Sequence, residues 1–158
     1  MEPKNLKESV EAAFDHVYKR NDEIAQIKAK YPEGTSICLI KMGSDPQPVP
    51  PYTFGTVAHV DDIGTIHMRW KTGSSLGLII GEDEFEIIHP TRVTLKWDHG
   101  PEITKVFARE SEAIVFAAEA EMTCKEKKWT KPTVTYEEAK VGDLPDAYYE
   151  TTGDKPAQ

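Results

Sequence analysis

The spacing of apolar and polar residues changes period along the chain. Val10, Ala13, Val17, Ile24 and Ile27 recur at three- and four-residue steps, with Arg20 in the one polar gap. That spacing aligns them on one stripe and predicts an amphipathic helix within residues 1–30. Asn5 and Glu8 form a capping-box variant at its start. Pro32 and Gly34 in "YPEGT" break the chain after Lys30. So narrow a stripe suits packing on a neighbouring domain. It equally suits coiled-coil-like pairing with another copy, a homo-oligomer through this helix.

From residue 31 to 90 the period becomes two. "TSICLIKM", "GTVAHV", "TIHMRW", "LGLII" and "EFEII" read as short strands, separated by "DDIG", "KTGSS" and "GED" turns. Five short strands with tight turns predict a small, strongly bent, SH3-like β-barrel. The segment "DPQPVPPYTF" holds four prolines and reads as a stiff irregular loop. Residues 91–130 read as a ββα unit: "RVTLKW", a "DHGP" turn, "EITKVF", then a helix capped by Ser111 with Ile114, Ala118 and Met122 on its stripe. Residues 131–158 read as a partly disordered tail, with Tyr148 and Tyr149 as potential anchors. The fold class is therefore α+β: helix, barrel and ββα unit.

Charge narrows the function classes. The chain carries 19 basic and 27 acidic residues, a net charge of −8, and residues 31–90 hold three basic against eight acidic side chains. Direct nucleic-acid binding leans on a basic face, so it is disfavoured. The two cysteines, Cys38 and Cys124, lie in separate elements and read as free thiols in a reducing compartment. No apolar run is long enough for a membrane span and no secretion signal is read at the N-terminus, so the expected location is the cytoplasm.

Within residues 31–88 one pattern runs through Tyr31, Pro32, Gly34 and Thr35, then Leu39, Ile40 and Met42, then Asp45 and Pro46. It continues with Gly55, Thr56, Val60, Asp61, Asp62, Gly64, Ile66, His67 and Trp70. It closes on Gly73, Ser74, Ser75, Leu76, Leu78, Ile79, Gly81, Asp83 and Phe85. This pattern resembles an uncharacterised bacterial domain family found in phages and integrative mobile elements. The family offers no catalytic residues to transfer. The resemblance implies a protein of a phage or mobile element acting inside a bacterial host.

Three features are candidate sites. In "KTGSSLGL", Gly73 with Ser74 and Ser75 either builds a plain hairpin turn or offers hydroxyls and N–H groups to an anion. His67 and Arg69 share the polar side of their strand, and His59 on the preceding strand is placed to lie across from them. The Pro-rich loop presents Tyr52 and Phe54 for stacking on a flat ligand or a protein. No metal-ligand spacing, cofactor fingerprint or nucleophile–base pair is present, so no metal, cofactor or catalysis is expected. The expected function is a non-catalytic binding protein engaging a host bacterial protein, most concretely a counter-defence inhibitor of an immune effector. The alternative is a small-ligand binder that sequesters an anionic nucleotide signal.

Overall fold

The computed structural model describes residues 6–146. Asn5, the expected cap, and Tyr148 and Tyr149, the expected anchors, lie outside the described residues. Helix α1 spans Leu6–Lys30 and ends where Pro32 and Gly34 turn the chain. Two antiparallel sheets follow. Strands β1 (Ser36–Lys41), β2 (Phe54–Val60), β3 (Ile66–Trp70) and β4 (Glu84–Ile87) make the first, in the order β3-β2-β1-β4. Strands β5 (Thr91–Lys96), β6 (Glu102–Phe107) and β7 (Thr133–Glu138) make the second, in the order β6-β5-β7, with helix α2 (Glu110–Glu126) packed on it.

The first sheet is open, and no closed barrel forms among the described residues. The expected strand "LGLII" makes only isolated one-residue bridges: Ile80 with Asp83, and Leu78 with Ile66, which exchange both backbone hydrogen bonds at 2.8 and 2.9 Å. Leu78 is fully buried, whereas Ile79 and Ile80 face solvent. The next backbone donor, Ile79 N–H, goes to the Asp83 carboxylate at 2.7 Å, and the other oxygen of that carboxylate takes the Gly43 N–H at 2.7 Å. A side chain thus replaces the ladder that would have closed the sheet.

Strand β1 is buried on both faces: Ile37, Cys38 and Leu39 are each inaccessible to solvent. Ile37 and Leu39 join Val57, Ile66, Met68, Trp70 and Leu78 in one core. Cys38 turns to the opposite face and meets Phe54, Ile88, Ala108, Val141 and Leu144. That second core is the seam between the two sheets. Gly55 lies beneath Trp70, where a Cβ would come within 2.6 Å of the indole ring, so only glycine fits there. Both cysteines are free and buried, and burial pushes the Cys38 thiol up to about 11.

The second half differs from its expectation. It is not the expected ββα unit but a three-stranded sheet with one helix, in the order ββαβ: strand β7, within the segment expected as a tail, pairs with β5 from Thr91↔Glu138 to Lys96↔Thr133. A 3-10 turn at Val141–Asp143 then buries Val141 and Leu144 in the seam. Helix α2 starts after Arg109, not Ser111, and no side chain caps it. Its buried stripe is Ala113, Ala117 and Cys124, with Phe116 and Ala120 partly covered. Ile114, Ala118 and Met122 face outward. The small alanines face the sheet because they permit close helix–sheet approach. Among the described residues, no helix is long and apolar enough to cross a membrane.

Candidate functional site

The polar face of the β2–β3 hairpin is built by a bulge. Thr56 pairs with Arg69 and Val57 with Met68, but the register then slips so that His59, rather than Ala58, opposes His67. The extra residue restores the alternation. Val57, Val60, Ile66, Met68 and Trp70 stay with the core, while His59, His67 and Arg69 stay outside. The two imidazoles stack with centroids 4.4 Å apart and planes 7° from parallel.

His67 is anchored from below. Its Nε2 lies 2.7 Å from Asp61 Oδ2, and Asp61 Oδ1 accepts the N–H groups of Ile63 and Thr65 at 3.1 and 2.9 Å. The His67 hydrogen bond, with help from those two N–H groups, holds the Asp61 carboxyl below its usual value of 3.8 against a smaller opposing effect of desolvation. Asp61 is thus the organiser of the hairpin turn. The turn in turn seats α1: Gly64, at φ +87°, lies against Ile24 and Ile27, and Lys28 pairs with Asp62 at 3.0 Å. Arg69 reaches Glu33 at 3.9 Å.

A carboxyl depressed in the folded state contributes stability that is present above its unfolded pKa and is lost as pH falls through its folded pKa. Acid below about pH 4 is therefore expected to loosen this turn and the seat of α1. Urea melts at pH 7 and at pH 3 check this. Asp61→Asn should be less stable than wild type at pH 7 and show a shallower acid limb. An acid limb as steep as wild type would show that the Asp61 charge contributes nothing.

The other expected site residues do not join this face. Phe54 is fully buried in the seam, so it cannot stack on a ligand; the chain leaves the Pro-rich loop one residue earlier than the strand pattern suggests. Tyr52 is half-buried against the same cluster, with φ at 63° and its N–H on Leu39 O at 2.6 Å. The loop is tied down by Val49, which is buried, and by the Thr53 hydroxyl donating to Pro50 O at 2.6 Å. In the Gly-Ser-Ser turn, Gly73 has φ +88° and donates to Trp70 O, and Ser74 Oγ accepts the Leu76 N–H at 3.2 Å. Trp70 Nε1 donates to Leu76 O at 2.8 Å. These groups close the turn itself. Ser75 is exposed at its tip.

A surface that strand and helix spacing did not reveal lies on α2. Ile114, Val115 and Met122 are 48%, 54% and 62% exposed, and Trp129 beyond the helix is 59% exposed. Ala118, Met122 and Trp129 line an open groove of about 510 Å³, rimmed by Glu121, Lys125 and Lys131. Lys127 stands 4.8 Å over the Trp129 ring. The signal in the sequence was "KEKKWTK", four lysines around a tryptophan in an otherwise acidic chain. Among the described residues no group of His, Cys, Asp and Glu is arranged to hold a metal.

No curated protein and no solved structure matches the chain. The family match falls on α1's seated end and the first sheet: residues 20–88 fit the model of DUF4314, a domain of unknown function.

Proposed function

We propose that the protein is a non-catalytic protein-binding module, used by a phage or mobile element against a protein of its bacterial host. The observation that supports it is the α2 face: an exposed apolar strip continuous with a groove and a tryptophan. Exposed apolar patches rimmed by polar residues mark interaction surfaces, and Trp is enriched among residues that dominate binding energy. Lys131 is paired with Glu121 at 3.7 Å; Lys125, with Lys127 over the Trp129 ring, suits a partner with an apolar segment flanked by acidic residues. Inhibition of an immune effector is the most concrete form of this role. The small-ligand alternative needs Ser74, Ser75, His67, Arg69 and an aromatic of the Pro-rich loop to converge; Phe54 is buried in the seam, which leaves that part to the half-buried Tyr52.

Native mass spectrometry of the protein after incubation with host lysate tests the reading. The expected result is the gain of a whole protein chain, reduced at least tenfold by Met122→Lys or Trp129→Ala. Both side chains are exposed, so the fold survives either change. Capture that both variants retain would move the site elsewhere. A gain of a few hundred daltons, untouched by either variant, would replace this reading with ligand sequestration.

A further inference from the structure

We infer that α1 pairs with α1 of a second copy in an antiparallel two-helix arrangement. Leu6, Val10, Ala13, Val17, Arg20, Ile24 and Ile27 follow strict four-three steps, the seam of a coiled coil. None of the helix is buried. Leu6 is 81% exposed, Val10 45%, Phe14 60%, Val17 52% and Tyr18 70%. Among the described residues, the last two turns are the part that touches the protein's own body, through Ile24, Ile27 and Lys28. The preceding turns project by about 22 Å at 1.5 Å per residue. Helices draw most of their stability from packing of an amphipathic face, and among the described residues nothing covers this face before Ile24.

Charge identifies the occupant and its direction. Helix α1 holds five basic and five acidic residues, so the net −8 of the chain resides outside it. It is the one long element on which another copy meets no net repulsion. Its halves differ: Lys7 stands against Glu8, Glu11 and Asp15 in the first, and Lys19, Arg20, Lys28 and Lys30 stand against Asp22 and Glu23 in the second. Antiparallel pairing sets the acidic half on the basic half and keeps the two acidic bodies at opposite ends. Parallel pairing would set Arg20 on the partner copy's Arg20 and bring the bodies side by side.

The register follows from the same residues. Ala13 facing the partner copy's Val17 places Leu6 over the partner copy's Ile24 and brings Phe14 to the partner copy's Phe14. The end of each helix then runs to the foot of the other, where Ile27, Tyr31 and Ile80 line a shallow cleft of about 330 Å³. Leu6, Val10, Phe14 and Val17 of both copies bury less than the ~1,200 Å² lower bound of stable interfaces, Tyr18 lying off the seam. The dimer is accordingly a weak one.

Sedimentation velocity of the full chain from 1 to 200 µM at low salt tests this. The expected mass doubles across the series for wild type and stays monomeric for Val10→Lys/Val17→Lys. Both changes lie on exposed helix surface, so the body should melt as wild type does. Spin labels on Lys7→Cys read the direction, the native cysteines being buried. Antiparallel pairing sets the labels about 24 Å apart or more; parallel pairing sets them within about 15 Å. A monomer at 200 µM, a dimer that survives the double variant, or the short label distance would each overturn the inference.

Discussion

Phe54→Ala is expected to lower the stability of the whole molecule by about 3–5 kcal/mol. Phe54 is inaccessible to solvent, and its neighbours come from both halves: Cys38 from β1, Ala108 after β6, and Val141 and Leu144 beyond β7. Removing the ring opens a cavity that no single element can collapse into, because β1 and β2 are fixed by their ladder. The seam also carries Lys71, whose N–H donates to Phe54 O and whose ammonium reaches Leu144 O. The two sheets should therefore loosen together. Urea unfolding followed by tryptophan fluorescence and by far-UV circular dichroism checks this. With a slope of about 1–3 kcal/mol per molar urea, the midpoint should fall by ~1–5 M, and the two signals should move together. A loss under about 1 kcal/mol, within the scatter of surface substitutions, would mean that Phe54 is not a seam residue and would restore it to the ligand-facing surface.

The same residue shows where the sequence is legible and where it is not. The α1 stripe is readable because its period is long and its terminators, Pro32 and Gly34, are unambiguous. The polar face of β3 is readable because alternation over Ile66, His67, Met68, Arg69 and Trp70 is strict. The bulge that brings His59 over His67 is invisible, since one extra residue in β2 leaves no compositional mark. Phe54 is misplaced because four prolines hide the point at which strand geometry begins. Strand β7 is missed because five of its six residues are exposed, so it carries no alternation. The α2 stripe is read inside out for a related reason. Two alanine positions, Ala113 and Ala117, face the sheet, while the larger Ile114 and Met122 stand in solvent. Hydrophobic size normally points inward. Its reversal on α2 is what carries the protein-binding proposal.

Arg109→Ala is expected to destabilise by about 2–4 kcal/mol, the range for breaking a buried ion pair by removing one partner, reduced because Arg109 and Glu86 are 29% and 38% exposed. The Arg109 guanidinium contacts the Glu86 carboxylate on β4 and reaches Glu112 on α2 at 3.3 Å. It thereby ties the first sheet to the helix of the second half, directly above the Cys38 face of the seam. Without it, two carboxylates face each other with one oxygen of each shut away from water. That mechanism predicts non-additivity. In a Glu86→Gln/Glu112→Gln background, Arg109→Ala should cost less than about 1 kcal/mol, since no uncompensated charge remains. An equal cost in both backgrounds would show that the Arg109 side chain acts by packing alone. The distinction bears on the matched domain itself. Glu86 lies inside residues 20–88 and both its cation and that cation's second carboxylate lie outside them. If the coupling is ionic, the first sheet in this chain relies on its flanking half, and changes on α2 that displace Arg109 will be felt at β4.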